Sequence, residues 1–450
     1  MRKTKKARKP LKTWEMIFCV GSLLLMAAVG IYYGYRSFYY FSKQNYKLTT
    51  EAATLNGRVV NDNQLITEGD GLHQDTDGYY FKGNVGNNYV KYSNRLFRVI
   101  RVNNDNSIRI ISDEIGTSFM WGIDSNYETS NLNKWLDKGK LLGSGVYYDT
   151  LGGVDVFVDK TKYTIDSLDG DKVVSGDKDL SSVITTLGIK DYTLAGGKNS
   201  YLNINKAFWI LGYQNEQNLF VSTEGSIEET STYESYGVRA LLTLKKNTKI
   251  IGGNGTKEDP YVIDQGQHIN GVDSYVRLGN DLWKIGLDSK EGYYTLYSVD
   301  YLKVGDYVKS GYDLKDNVIF DAQNKNNIAY YLNTAYLNTL TYRDVLLLTP
   351  WKTGEISLDN DYDFFKVYDD NELVKIGLLN IFDYYSGELD DFFYLTNTGE
   401  VSDMVFIHTK DGYLEEDSTQ AQRYVIPCVS INKGIIKGGT GTKEDPYTVG

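Results

Sequence analysis

The chain has 450 residues, a formal charge of −11 at pH 7, 14% aromatic residues and two cysteines. Seven cations fall within the first 14 residues, so the remainder carries about −18. This charge excludes nucleic acid as the main ligand, because phosphates are bound by clusters of Lys and Arg. Cys19 and Cys428 lie in unlike segments, so the sequence predicts no intrachain disulfide and a fold stabilised by its packed cores.

The first predicted element is a transmembrane helix over residues 14–36. An uncharged, mainly apolar run extends from Met16 to Tyr35, and roughly 20 helical residues span the ~30 Å hydrocarbon core of a bilayer. The cations concentrate before this run, so the positive-inside rule predicts a cytoplasmic tail at 1–13 and an extracellular remainder. A cleaved signal peptide is the alternative interpretation, because it shares the basic start and the apolar middle.

An internal duplication organises the rest of the chain. The segment GGNGTKEDPY that begins at position 252 returns as GGTGTKEDPY at position 438. The same shift aligns three upstream residues with three others, namely Tyr89, Val90 and Leu96 with Tyr275, Val276 and Leu282. A repeat of this length is domain-sized. The sequence therefore predicts homologous tandem domains at 77–264 and 265–450, preceded by a membrane-proximal linker at 37–76.

Alternating apolar and polar residues predict mainly strands within each domain. The segment RLFRVIRVNNDNSIRIIS predicts a β-hairpin around a turn at Asn103 to Ser107, and its second copy, DLWKIGLDSKEGYYTLYSV, turns at Asp288 to Gly292. Segments that begin at Ser130, Lys178 and Asn326 are predicted as short helices with polar caps. The predicted fold class is α+β and β-rich, with an N-terminal transmembrane helix followed by two domains of antiparallel strands with a few short helices.

The duplicated motif itself is interpreted as domain punctuation. Pro260 fixes its own φ angle and pushes the residue before it toward extended geometry. We therefore expect a domain-closing turn followed by an edge strand, in preference to a calcium or receptor site.

The segment that closes each domain carries a resemblance to a known family. The first copy reads KAFWILGYQNEQNLFVSTEGSIEETSTYESYGVRALLTL from Lys206 to Leu244. It resembles repeated bacterial surface domains of unknown function, in which FWL-type, YVNxxG-type and YGVRP-type strands close a module similar to C-type lectin-like folds. The second copy departs from this pattern, since Ile426 replaces Arg239 and Pro427 follows. The resemblance extends loosely over both repeats and implies no catalytic residue.

The sequence predicts no catalytic residue, no metal site and no cofactor. The three histidines are scattered, and no metal-binding pair or nucleophile elbow accompanies them. The acidic stretches at Asp166 to Asp171 and Asp359 to Asp363 lack the spacing of an EF-hand, so they are interpreted as solvated loops.

Tyrosine is the remaining signal, with 39 in the chain. Most are expected on half-buried strand faces, although an exposed set can stack on sugars or peptides and donate hydroxyl hydrogen bonds. By analogy with lectin-like folds, we expect a ligand face between the closing strands of the first domain, at Tyr213, Asn215, Asn218, Tyr233 and Tyr236.

These observations favour a membrane-anchored, single-pass, extracellular binding or adhesion protein. Its tandem β-rich domains are predicted to recognise a carbohydrate or a protein outside the cell, and the membrane itself is a partner through the N-terminal helix. A structural component of a cell-surface assembly is the alternative. A hydrolase of cell-wall polymers is a third hypothesis, because abundant carboxylates allow a catalytic pair.

Overall fold

The computed structural model describes residues 29–36, 53–122, 124–138, 145–303, 309–353, 371–386, 393–398, 404–409 and 414–450. Contacts between Cα atoms divide the chain into two compact units, Met1–Ala53 and Thr54–Gly450. Both copies of the sequence repeat belong to the second unit. The predicted domain boundary between residues 264 and 265 stays a prediction.

The predicted transmembrane helix at 14–36 is wrong. Of that range the structure describes residues 29–36, which form a helix. Within the described part of the chain, no helix has the length and apolar character needed to cross a membrane. The single-pass anchor, and the cell-membrane localisation that depended on it, are therefore not supported. The predicted cytoplasmic tail, residues 14–28 and residues 37–52 lie outside the described residues.

The helices of the second unit are short. In chain order they are α1 (Leu55–Asp62), α2 (Asn131–Leu136), α3 (Val146–Asp149), α4 (Val154–Phe157), α5 (Ile189–Leu194), α6 (Ile328–Tyr331) and α7 (Leu337–Thr339). A π-helical turn at Leu332–Tyr336 joins α6 to α7. Single 3-10 turns occur at Tyr127–Thr129, Gly197–Asn199, Gly266–His268 and Lys433–Ile435.

Strands provide most of the regular structure. Up to the first closing motif they are β1 (Gly71–Asp75), β2 (Gly78–Lys82), β3 (Tyr89–Tyr92), β4 (Arg95–Asn103), β5 (Ile108–Ser112), β6 (Thr117–Met120), β7 (Val158–Asp159), β8 (Thr161–Thr164), β9 (Ser167–Asp169), β10 (Lys172–Val174), β11 (Asp179–Ser182), β12 (Ile184–Thr185), β13 (Phe208–Gln214), β14 (Gln217–Val221), β15 (Ile227–Thr230), β16 (Ser235–Val238), β17 (Leu241–Leu244), β18 (Ile250–Gly252) and β19 (Tyr261–Ile263). The strands that follow are β20 (Tyr275–Leu278), β21 (Asp281–Asp288), β22 (Tyr293–Ser298), β23 (Thr349–Lys352), β24 (Asn371–Val374), β25 (Ile376–Gly377), β26 (Phe393–Thr398), β27 (Met404–His408), β28 (Leu414–Ser418), β29 (Cys428–Asn432), β30 (Ile436–Gly438) and β31 (Tyr447–Val449).

Two sheets share one strand order. The first is β12-β17-β5-β4-β3-β19-β18, and the second is β25-β29-β22-β21-β20-β31-β30. Their registers also agree, because β4 pairs Val99 with Ile110 of β5, and β21 pairs Ile285 with Leu296 of β22 at the positions that the repeat makes equivalent. The repeat in the sequence is therefore also a repeat of sheet topology. Both predicted hairpins are present, at β4–β5 and β21–β22.

The closing motif returns the chain to an early strand of its own sheet, β3 in the first copy and β20 in the second. Tyr261 pairs in parallel with Val90, and Tyr447 pairs in parallel with Val276. The strand after each turn therefore lies between two neighbours, and β18 and β30 form the sheet edges instead. The prediction of an edge strand after the turn is therefore wrong. The strand that follows the turn, β19 or β31, lies inside the sheet, and the strand that precedes the turn, β18 or β30, lies at the edge.

Buried side chains lie on both faces of β4 in the first repeated sheet. In β4 only Leu96 and Asn103 are partly exposed, so the alternation in the sequence does not produce a solvated face. Arg98 and Arg101 are buried there because each has polar partners, which for Arg101 are the two carboxylate oxygens of Asp75 at 2.8 and 2.7 Å.

A second group of strands in the first repeat carries the predicted ligand face. It is ordered β10-β9-β13-β14-β15, and β16 joins β13 to β6. The pairings of β13 with β9 and with β16 are parallel, so the sheets are mixed and not wholly antiparallel as predicted. In the second repeat, β26, β27 and β28 form a separate antiparallel sheet.

Candidate binding site

A cleft between the two repeated sheets is the main candidate site. It consists of three adjoining pockets that share Glu114 and Ser386, and we call them the first half, the middle pocket and the second half. Their volumes are about 590, 230 and 380 Å³ respectively. Each half has a volume within the range of small-molecule sites.

The first half is built on β3, β4 and the residues after β5. Arg98 lies on its floor, where it donates to the side chain of Asn88 at 2.7 Å, to the hydroxyl of Tyr89 at 2.9 Å and to the carbonyl of Val85 at 2.5 Å. These bonds fix the Tyr89 ring, whose centre lies 3.9 Å from the guanidinium carbon. The exposed face of this half therefore presents a rigid aromatic ring.

Charged side chains at the rim of the first half come from two loops. Asp113 and Glu114 follow β5, and the backbone amide of Asp113 extends the sheet by donating to the Leu96 carbonyl at 3.0 Å. Lys257 comes from the closing turn, and its ammonium lies 3.6 Å from the Asp113 carboxylate. Lys206 also lines this half. The duplicated motif thus delivers a cation to the cleft as well as closing the sheet.

The second half repeats this arrangement at the equivalent positions of the second copy. Tyr275 pairs with Lys284 across β20 and β21, as Tyr89 pairs with Arg98 across β3 and β4. The amide of Val299 donates to the Leu282 carbonyl at 3.1 Å, as Asp113 does to Leu96. Four lining positions correspond in this way, pairing Tyr89, Arg98, Glu114 and Lys257 with Tyr275, Lys284, Asp300 and Lys443.

A buried charge cluster joins the repeats at the middle pocket. Asp273 of the second repeat accepts from Arg95 of the first and from the Ser386 hydroxyl. Lys284 lies 3.3 Å from the same carboxylate and donates to the Ser386 hydroxyl at 2.6 Å. Arg95 also lies over the Tyr384 ring, 3.7 Å from its centre. Opposite charges therefore connect the two sheets at the base of the cleft.

The cluster keeps its charges despite burial. Burial alone disfavours the ionised form of Asp273, but Arg95 and Lys284 outweigh it and hold the pKa of the carboxyl group below its usual value. Burial likewise disfavours the charged form of Lys284, but Tyr297 and Asp273 raise its pKa. Lys284 therefore stays protonated and does not activate Ser386 as a nucleophile.

Two other titratable groups line the first half of the cleft. Glu114 is exposed to the cleft, but the surrounding protein reduces its hydration and raises the pKa of its carboxyl group. His408 lines the first half, and burial lowers the pKa of its imidazole to about 4. His408 is therefore neutral at physiological pH.

The predicted ligand residues lie elsewhere, on the sheet that contains β13. Tyr213 and Asn218 are paired across β13 and β14, and Asn215 occupies the exposed turn between these strands and donates to Glu229 at 2.7 Å. Tyr213 is held by a hydrogen bond from its hydroxyl to the Ser125 carbonyl at 2.7 Å. Three of the five predicted residues therefore cluster at one hairpin end.

The remaining predicted residues lie farther along the same group of strands. Tyr236 stacks on Phe220 with ring centres 4.0 Å apart, and Tyr233 is exposed before β16. Asn218 is fully buried, and neither atom of its side-chain amide has a hydrogen-bond partner in the described structure. None of the five residues lines the cleft pockets, and their role in binding a ligand stays a prediction.

The cleft residues were not predicted as a site, although the sequence contained a signal for them. Tyr89 and Lys257 belong to the two segments that the repeat preserves best, and both were interpreted as architecture. The sequence alone does not show that the start and the end of each repeat are adjacent. Their meeting in one pocket depends on the parallel pairing of β3 with β19.

Comparisons with known proteins found no matching family model, no significantly similar curated protein and no significantly similar solved structure. The function is therefore inferred from the residues of the cleft.

Proposed function

We propose that this protein is a carbohydrate-binding protein and that the cleft between the repeated sheets is its binding site. The observation that carries the proposal is the lining of the cleft, which contains tyrosine rings together with exposed lysines and carboxylates. Sugars present C–H faces that pack on aromatic rings, and hydroxyl groups that both donate and accept hydrogen bonds.

The charge of the cleft favours a neutral sugar. Its exposed charges, among the described lining residues, are three lysines and two carboxylates, namely Lys206, Lys257 and Lys443 with Glu114 and Asp300. A polyanion is usually bound by an excess of cations, whereas paired donors and acceptors suit hydroxyl groups. A protein ligand is less well matched, because the centres of protein interfaces are depleted in charged residues.

Glycan-array binding of the purified full-length chain tests the proposal, followed by titration of the strongest neutral ligand. Glu114→Ala removes an acceptor common to all three pockets and is expected to weaken binding at least about tenfold. Tyr236→Ala, on the sheet that contains β13, is the matched control and should leave affinity unchanged. The proposal is wrong if no glycan binds. If Tyr236→Ala abolishes binding and Glu114→Ala does not, the ligand lies on the face predicted from the sequence.

Hydrolysis of a bound glycan is a second candidate function. Glu114, whose pKa is raised, and Asp300 line the same pocket from different repeats, and glycosidases use a protonated carboxyl group with a second carboxylate. Incubation of the full-length protein with its array ligand, followed by analysis of reducing ends, tests this function. Turnover that disappears in both Glu114→Gln and Asp300→Asn would support it, and no turnover by the unsubstituted protein would exclude it for that ligand.

A further inference from the structure

The two halves of the cleft present the same kinds of side chain from the same positions of their sheets. Each half takes a tyrosine from the strand that pairs with the closing strand, β3 or β20, and a cation from the next strand, β4 or β21. At the second residue after the next strand stand the equivalent carboxylates Glu114, which lines both halves, and Asp300, which lines the second half, and the closing turns supply Lys257 to the first half and Lys443 to the second.

We propose that the ligand is a linear homo-oligosaccharide and that two of its sugar units bind one in each half through these equivalent residues. The inference rests on the proposed function, since it specifies the class of carbohydrate. Equivalent donors and acceptors select equivalent chemical groups, and a polymer of one unit presents the same groups repeatedly. Once one unit is bound, binding of the next becomes intramolecular, so affinity rises without any new kind of contact.

The halves differ on their floors, and Lys206 lines only the first half, but the closing-turn lysines Lys257 and Lys443 occupy equivalent positions. Asp113, which lies beside Lys257, corresponds to Val299 in the second half. Arg98 holds the hydroxyl of Tyr89, whereas Lys284 donates to the backbone and side chain of Ser386. The closing-turn lysines are the pair for substitution because both are exposed at equivalent positions, and Lys257 differs from Lys443 in lying 3.6 Å from the Asp113 carboxylate.

Calorimetric titration of the full-length protein with cello-, malto- and chito-oligosaccharides of one to six units tests the inference. One series is expected to bind, with two sites for the monosaccharide and one site per long oligomer. Affinity should increase about a hundredfold from the monosaccharide to the shortest oligomer that reaches both halves.

Substitution of the paired lysines supplies the second measurement. Lys257→Ala and Lys443→Ala are each expected to weaken binding of the long oligomer about tenfold, which reduces its advantage over the monosaccharide from about a hundredfold to about tenfold. Lys437→Ala is the control, because Lys437 is exposed on β30 and does not line the cleft, and it should bind as the unsubstituted protein does.

The two proposals fail in different ways. If a sugar binds at a single site with affinity independent of length, or if only one of the two lysines matters, the inference of two equivalent halves is overturned and the proposed function stands. If none of the three series binds to the unsubstituted protein while its fold is intact, both proposals are overturned for neutral homo-oligosaccharides.

Discussion

Arg239 is a fully buried cation that connects three parts of the first repeat. From its position just after β16 it donates to the Ser112 carbonyl at 2.8 and 3.0 Å and to the Leu202 carbonyl at 2.8 Å. Burial lowers the pKa of its guanidinium to about 10. In the second repeat the corresponding residue is Ile426, so this link is specific to the first.

Arg239→Ala is expected to lower the free energy of unfolding by about 3 kcal/mol or more, because two buried carbonyls lose their donors and a cavity remains. Urea denaturation monitored by tryptophan fluorescence measures the loss. Arg277→Ala, at an exposed position of β20, should change stability by no more than about 0.5 kcal/mol. Equal effects of the two substitutions would contradict the structural role assigned to Arg239.

Asp383 and His408 are expected to change stability with pH in opposite directions. Burial raises the pKa of the Asp383 carboxyl to about 6 and lowers that of the His408 imidazole to about 4. Between pH 4 and 6 the folded protein holds a proton on Asp383 that the unfolded chain releases, so this stabilising contribution is lost as pH rises. For His408 the unfolded chain holds the extra proton, so its contribution to stability increases with pH from 4 to about 6.5.

Unfolding free energies measured from pH 4.5 to 7 separate the two effects. The unfolding free energy of the unsubstituted protein minus that of Asp383→Asn should fall as pH rises. The unfolding free energy of the unsubstituted protein minus that of His408→Gln should increase as pH rises. A pH-independent difference for either variant would contradict the direction of the pKa shift given for that residue.

The closing turn is the element whose sequence is most fully explained by its geometry. Gly253 and Gly439 have φ angles of +97° and +87°, and an added Cβ would lie 1.8 and 2.1 Å from the carbonyl oxygens of Pro260 and Pro446. Across each turn, the backbone amides of Asn254 and Thr440 donate to the backbone carbonyls of Asp259 and Asp445, at 2.9 and 3.0 Å respectively. Glycine is therefore required at this position of both copies.

Gly253→Ala is expected to cost roughly 2–4 kcal/mol, because a positive φ and a backbone overlap must both be accommodated. Gly252→Ala is the adjacent control, since nothing lies within 4 Å of its Cβ position. Thermal unfolding by circular dichroism compares the two variants, and the prediction fails if they melt together. A smaller contrast in the same direction is expected between Gly439→Ala and Gly438→Ala, because a Cβ at position 438 would lie 3.2 Å from the Thr448 hydroxyl oxygen.

Local sequence patterns predicted elements well where the turn and cap chemistry lay within one segment. Both hairpins and the helix capped by Ser130, whose hydroxyl accepts from the Asn133 amide at 3.1 Å, were predicted in this way. The helix predicted from Lys178 is wrong. That segment forms β11 and β12, because Asp137 accepts from the amide of Val183 at 2.9 Å and Ile184 pairs with Leu242. These partners are distant in sequence, and β-branched residues already disfavour a helix there.

At the scale of the whole molecule, the contact between Arg95 and Asp273 is the link to test. Asp273→Ala leaves Arg95 and Lys284 buried without their carboxylate, and the expected cost is about 3–5 kcal/mol. The double substitution with Arg95→Ala should cost about 1–3 kcal/mol less than the sum of the single ones. Denaturant titrations of the four proteins complete this cycle.

A surface ion pair provides the comparison for that cycle. Lys138 and Asp149 lie 3.3 Å apart with side chains that are 48% and 39% exposed, so their coupling should stay below about 1 kcal/mol. If Arg95 and Asp273 couple no more strongly than this pair, the buried cluster does not hold the repeats together.

Local sequence patterns do not predict the cleft, for the same reason that they do not predict β12. In both cases the residues that come together are distant in sequence. Glu114 and Asp300 are ordinary acids among 59 in the chain, and nothing in their neighbourhoods distinguishes them. They become a matched pair only when two sheets of equal topology share a pocket. The sequence predicted the repeat, but not which surfaces of its two copies face each other.

The parallel pairing of each closing strand with β3 or β20 has a consequence for rearranging the chain. Because β3 and β19 are hydrogen-bonded neighbours, as are β20 and β31, the two strands of each pair are only about 4.8 Å apart. A segment whose end strands are adjacent can be copied, inserted or circularly permuted without breaking its internal ladder. A further copy of the segment from β20 to β31 would therefore bring another tyrosine and another closing-turn lysine with it.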